Sequence, residues 1–105
     1  MDVAAPGPVE EAAATVVLPR LLIDAADGQR RLSIPLPAQA TVADVLDAIA
    51  VRHPRLERRV RDEAGGLRRF VNLYLDGEEV RRLQGLATPI APGQEVRILQ
   101  SVAGG

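Results

Sequence analysis

The residues best placed to do chemistry are the last four, Val102-Ala103-Gly104-Gly105. Gly105 ends in a carboxylate, and an α-carboxyl with an ordinary pKa of about 3.3–3.7 is anionic at neutral pH. Such a carboxylate is able to attack the α-phosphorus of ATP and become an acyl-adenylate. That mixed anhydride passes its acyl group on to sulfur or nitrogen. Glycine suits the task because, lacking a Cβ, it lets a second backbone or a nucleotide phosphate approach its carbonyl closely. Gly104 and Ala103 keep the thread thin enough for a narrow channel, and Val102 supplies the one branched side chain that would anchor it in a partner's groove.

Other candidates carry less. His53 is the only histidine and stands beside Pro54 at the end of a predicted helix, so it reads as a C-terminal cap and not as a ligand or base. The acidic pairs Glu10-Glu11 and Glu78-Glu79 fall in a predicted arm and a predicted hairpin turn, where adjacent carboxylates stay solvated; no metal site is expected. With no cysteine, disulfides, thiolate metal sites and a Cys nucleophile are excluded, which suits a reducing compartment. Arg58, Arg59 and Arg61, with Arg68 and Arg69, flank Gly65-Gly66; they read first as a solvated loop face and second as a patch that steers an acidic partner. All thirteen basic residues are arginine. Without lysine, the chain cannot be linked to itself through a lysine isopeptide.

These groups need a body to present them. A chain of 105 residues has room for one domain with a modest core. Phe70 and Tyr74 are its only aromatic residues, so that core must be aliphatic. A net charge of −1 gives no footprint for nucleic acid or an anionic membrane. The first residues carry acids and no basic n-region, which argues against a signal peptide. No apolar run is long enough to span a bilayer, and a cytoplasmic location is expected.

Along the chain, residues 1–13 read as a mobile arm, 14–100 as the folded domain and 101–105 as a flexible tail. A β-branched run predicts a first strand over Thr15–Ile23, which Pro19 should end, bend or confine to an edge. Asp24–Gly28 reads as a turn and Arg31–Leu36 as a second strand. Val42, Val45, Leu46 and Ile49 share one helical face, with Thr41 as N-cap and Asp44 as its capping-box partner. Pro54 stops that helix near His53. Leu56–Val60 adds a short helical turn, and Asp62–Gly66 looks like a flexible loop. Arg69–Leu75 is the strongest strand, with Val71, Leu73 and Leu75 on one face and Phe70, Asn72 and Tyr74 on the other. Asp76-Gly77 is a tight turn into a short strand at Glu79–Arg81. Gly85–Ile90 crosses irregularly, Pro92-Gly93 turns, and Glu95–Leu99 is the last strand with Val96 and Ile98 inward. One main helix across a mixed sheet of four to five strands is an α+β domain of β-grasp order.

The segment Arg69–Gly105 resembles the C-terminal half of the MoaD/ThiS family of ubiquitin-like sulfur-carrier proteins. The matching pieces are Phe70-Val71-Asn72, Asp76-Gly77-Glu78-Glu79, Gly85-Leu86-Ala87-Thr88, Pro92–Val96 and Val102-Ala103-Gly104-Gly105. The GLAT run and the long strand-turn segment are closest to the actinobacterial branch that serves cysteine biosynthesis. The resemblance implies a protein that is not itself an enzyme and holds no cofactor. Its Gly105 would be adenylated by an E1-like partner that uses ATP and converted to a thiocarboxylate. A PLP-dependent cysteine synthase would accept the sulfur and a metallopeptidase would release the product. Phe70, Tyr74 and Leu99 would form the docking surface. The same family holds alternatives: the small subunit of molybdopterin synthase, and a protein tag that forms isopeptides with target lysines.

Overall fold

A computed structural model describes residues 12–101. The arm expected over residues 1–13 therefore lies almost wholly outside the described residues, as do tail residues 102–105. Five strands form one mixed sheet: β1 (Ala13–Val17), β2 (Arg31–Pro35), β3 (Val71–Leu75), β4 (Glu78–Glu79) and β5 (Glu95–Gln100), in the order β2-β1-β5-β3-β4. β1 and β5 run parallel, while β1–β2, β3–β5 and β3–β4 are antiparallel. Two helices, α1 (Val42–Arg52) and α2 (Pro54–Val60), connect β2 to β3 and cover one face.

The strands alternate as their sequences demand. Ala14 and Val16, Leu32 and Ile34, Val71 and Leu73, and Val96 and Ile98 are all buried on the helix side. Against them α1 lays Val42, Val45, Leu46 and Ile49, each fully buried, and α2 adds Leu56 and Val60. The core is thus aliphatic throughout, as the composition requires. α1 starts at the predicted capping box: the Thr41 N–H donates to Asp44 Oδ2 at 2.8 Å, and the Asp44 N–H donates to Thr41 Oγ1 at 3.4 Å.

Four local expectations need revision. The first strand ends at Val17, not Ile23. Pro19 has no N–H to give to a ladder, and the chain leaves the sheet through two short 3-10 turns, Arg20–Leu22 and Asp24–Ala26. Leu22 and Ala26 still reach the core by this path. Leu56–Val60 belongs to a seven-residue helix, because Pro54 sits at its first turn, where a missing N–H costs nothing. Asp62–Gly66 is a closed turn: Asp62 Oδ1 accepts the Ala64 and Gly66 N–H groups at 2.9 and 3.1 Å. The Glu79–Arg81 strand shrinks to Glu78–Glu79, after which Val80–Arg82 coils into 3-10 geometry and buries Val80.

The junction of the two helices is tied twice. The Arg61 guanidinium reaches Glu57 at 2.6 Å and Asp47 at 2.8 Å, joining α2 to α1. Burial alone would lower its pKa, but hydrogen bonds to Asp47 and Glu57 raise it above the ordinary arginine value. His53 is the C-cap of α1, with its N–H on Ile49 O at 2.6 Å, and its buried imidazole stands 3.5 Å from the Asp27 carboxylate. At the outer edge, the Ser33 carbonyl of β2 accepts from Arg52 Nη1 at 3.1 Å, and Pro35 has no N–H to offer. Replacing Thr41 by Ala removes the Oγ1 half of the cap and leaves the backbone N–H bond to Asp44, and we expect a loss of about 1 kcal/mol in urea unfolding with an unchanged slope.

Candidate functional site

The predicted reactive end grows out of the middle of the sheet. β5 is flanked by β1 and β3, so its place is fixed from both sides. β1 opposes it only from Glu95 to Arg97, whereas β3 opposes it from Val96 to Gln100. The last rungs of β5 are therefore held by β3 alone. The final backbone contact is the Ser101 N–H on Phe70 O at 2.8 Å, and Ser101 is exposed. Gly105, Gly104, Ala103 and Val102 follow, outside the described residues. The structure fixes where the tail is rooted: at the far end of the central strand.

The turns that set this root are built from few residues. Asp76 (φ 47°) and Gly77 (φ 92°) both take left-handed geometry, the type I′ turn that matches strand twist. The Asp76 carboxylate then reaches across to the start of β5. One oxygen accepts the Glu95 N–H at 3.0 Å and the other accepts from Gln94 Nε2 at 3.0 Å. Gln94 Oε1 in turn accepts the Ala91 N–H at 2.8 Å. The register of β5 against β3, and with it the position of Ser101, is thus fixed at the opposite end of the strand. At the irregular crossing, Thr88 accepts the Gln84 N–H at 3.0 Å and donates to Gly85 O at 2.7 Å.

Phe70, Tyr74 and Leu99 share the sheet face turned away from the helices. Leu99 lies directly opposite Asn72, and Tyr74 opposite Arg97. Phe70 and Leu99 are 40% and 42% exposed, enough apolar surface to dock against, while Tyr74 is half-buried. Of the arginines around them, sequence reading singled out Arg69 but not Arg81 or Arg97. Arg81 donates to Asn72 Oδ1 at 2.7 Å and to Arg68 O at 3.1 Å, Arg97 pairs with Glu95 at 3.2 Å, and the Arg69 guanidinium lies 5.6 Å from the Phe70 ring centre. Arg97 was readable from its alternation with Val96 and Ile98. Arg81 was not, because the 3-10 turn that aims it leaves no periodic trace. Arg61 is drawn away from the steering patch into its pairs with Glu57 and Asp47. Among the described residues no cluster of three His, Cys, Asp or Glu side chains is placed to hold a metal, and no helix is long and apolar enough to cross a membrane.

Strand order, a parallel β1–β5 pair and a helix across one face define a ubiquitin-like β-grasp domain. By the match of the ThiS family profile to residues 19–105, the chain belongs to the ThiS family, within the ThiS/MoaD type of small ubiquitin-like carrier and modifier proteins. It is 38% identical over 93 residues to the sulfur carrier protein CysO of Mycobacterium tuberculosis, covering 87% of this chain and 97% of that one. It is 34% identical over 88 residues to small archaeal modifier protein 1 of Haloferax volcanii, covering 82% and 97%. Among solved structures, the Amycolatopsis orientalis BexX/CysO complex contains a chain that superposes with a TM-score of 0.76 at 32% identity, over 89% of this chain and all of that one.

Because, among the described residues, the core lies between Ala14 and Ile98 and the last ladder contact is at Ser101, removing residues 102–105 should leave the thermal midpoint unchanged within about 1 °C, measured by circular dichroism.

Proposed function

We propose that this protein is a sulfur carrier whose Gly105 carboxylate is activated by a partner and converted to a thiocarboxylate. The observation that carries the reading is an exposed chain root, Ser101, at the end of the central strand and four residues before Gly105 of the Gly-Gly ending, in a chain 38% identical to a CysO sulfur carrier. In the first step a Gly105 carboxylate oxygen attacks the α-phosphorus of ATP in an E1-like enzyme, and pyrophosphate leaves. In the second, a sulfur donor attacks the acyl carbon, AMP leaves with the electron pair of the C–O bond, and a thiocarboxylate remains. Its sulfur then bonds to the β-carbon of an activated serine derivative held by a PLP-dependent enzyme, and the activated oxygen group leaves that carbon with the C–O electron pair. The resulting thioester rearranges to an amide through the neighbouring amine, and hydrolysis of that amide by a metallopeptidase releases cysteine. The carrier is a co-substrate throughout; its own residues bind and present, and the chemistry of turnover belongs to the partners.

The glycines matter because threading demands a chain without side chains beside the reacting carbonyl. The body matters because binding energy gathered on it positions the tail in the partner's site. Phe70 and Leu99, rimmed by Arg69, Arg81 and Arg97 beside the tail root, are the surface suited to that docking: an apolar centre with charge at the margin.

Incubation with ATP, an E1-like activating enzyme and a sulfide source should replace one oxygen by sulfur in the intact mass, localised to Gly105 by fragmentation. A chain that stays at its starting mass under conditions that fully convert an M. tuberculosis CysO control would defeat the proposal. The similarity to a small archaeal modifier supports a second reading, a protein tag; covalent high-mass conjugates that vanish on deleting Gly105 would establish it. Replacing Leu99 by Asp should weaken the complex with the activating enzyme at least about tenfold by calorimetry, with no loss of thermal stability because Leu99 faces away from the core.

A further inference from the structure

Positive charge is gathered on one side of this domain. The net charge of the chain is −1, yet seven of its thirteen arginines fall between Arg52 and Arg69, against three carboxylates. Three open depressions follow one another along α2 and share residues where they meet. Arg52, His53, Arg55 and Asp27 line the first. Arg55, Arg58, Arg59 and Asp24 line the second, and Arg58, Arg68, Asp62 and Glu63 line the third. The arginines of this furrow are held in place but not neutralised. Arg55 donates to Asp24 O at 3.3 Å, Arg68 to Arg58 O at 2.7 Å and Arg52 to Ser33 O at 3.1 Å. A bond to a neutral carbonyl steadies a guanidinium and leaves its charge intact. Among the described residues only Arg61 on this side pairs with carboxylates, those of Glu57 and Asp47. Arg58 and Arg59 suit the last turn of α2, where a helix favours cations. Arg55 stands in the first turn, where a helix favours anions, and like charges lie three and four residues on. Its place burdens the helix, and no carboxylate offsets that.

We propose that this furrow is a docking surface for an acidic segment of a partner protein, separate from the Phe70 and Leu99 face. A guanidinium fork meets a carboxylate two N–H groups at a time. Arg55, Arg58 and Arg59 fall within two turns of one helix, so they offer several such forks side by side. The lining selects a peptide over a nucleic acid. Asp24, Asp27, Asp62 and Glu63 stand along the furrow. A phosphate backbone carries charge at every step and would meet them, whereas the acids of a peptide are spaced by other residues. The rings able to stack on bases, Phe70 and Tyr74, are the only aromatic ones and belong to the other face of the sheet. The helices and the Phe70 and Leu99 face lie on opposite sides of the sheet, so both surfaces of one copy can be occupied together. Binding in the furrow goes beyond the carrier reading and does not depend on the chemistry of Gly105.

The test uses the full chain and two probes of equal charge, a peptide of alternating glutamate and alanine and a single-stranded oligonucleotide. Each is titrated at low salt, where exposed charges are least screened, and the amide shifts of the protein are followed by NMR. We expect the peptide to shift the amides of α2 and Arg68 and to leave those of Arg31, Arg97 and Leu99 unmoved. Arg55→Glu should weaken peptide binding at least about fivefold. Arg82→Glu makes the same charge change at an exposed arginine outside the furrow, and should weaken it less than about twofold. The thermal midpoint of Arg55→Glu should equal or exceed that of the unsubstituted chain, because the change relieves like-charge contacts along α2. Arg59→Gln repeats the binding comparison at an exposed side chain that makes no hydrogen bond among the described residues. Neither probe involves Gly105, so an unshifted mass with the activating enzyme and sulfide would leave these measurements standing. Peptide shifts centred on Arg31 and Arg97, equal weakening by Arg55→Glu and Arg82→Glu, tighter binding of the oligonucleotide in the furrow, or a lower midpoint for Arg55→Glu would each overturn the proposal.

Discussion

The structure depends on the insertion of β5 between β1 and β3. Without it the sheet falls into two hairpins, β2-β1 and β3-β4, with no backbone ladder between them. Val96 and Ile98, both fully buried, supply the contact that brings the two halves onto the same helices. The last strand is also the central one, so nearly the whole chain must exist before the fold can close. The pairing of Thr15 with Glu95 joins residues eighty positions apart, the kind of distant contact whose loop-closure entropy must be met before its stabilisation is gained. The end proposed to carry the chemistry follows the strand that completes the domain. A partner that reads the body before handling the tail thereby reads a finished fold.

Rigidity and access are reconciled along one strand. At its start, β5 is locked by the Asp76 carboxylate and the Gln94 side chain; in its middle it is laddered on both sides; at its end β3 alone holds it. The constraint loosens stepwise toward Ser101. Such a gradient lets the sheet fix the direction in which the chain leaves it at Ser101. The outer face of the same strand carries Leu99 and Arg97, so the surface suited to docking and the root of the tail move as one piece.

Much of this was legible in the residues. The alternation of Val71, Leu73 and Leu75, the Thr41–Asp44 cap and the Asp76-Gly77 turn each have a local physical cause, and each stands where the sequence put it. What was not legible depended on tertiary partners. The apolar run after Pro19 has strand propensity, yet β2 is too short to pair with it, and Leu22 finds the core through a 3-10 turn instead. Val80 likewise leaves β4 after two residues because burial in the core outweighs another rung at an edge. Of the site, the residue types of the tail were readable and the Phe70 and Leu99 face followed from parity. The Arg81 fork was hidden, since nothing in a linear pattern says that a residue after a tight turn will fold back onto Asn72 and Arg68.

The outer edge of the sheet has a consequence of its own. β2 would otherwise display a row of unsatisfied amides and carbonyls to any neighbouring strand. Instead the Arg52 side chain occupies the Ser33 carbonyl and Pro35 withholds a donor. For a carrier of the kind proposed above, handed from one enzyme to the next, stacking edge to edge would lock the endings of many copies inside a fibre. One arginine and one proline blunt the edge along which copies would otherwise pair.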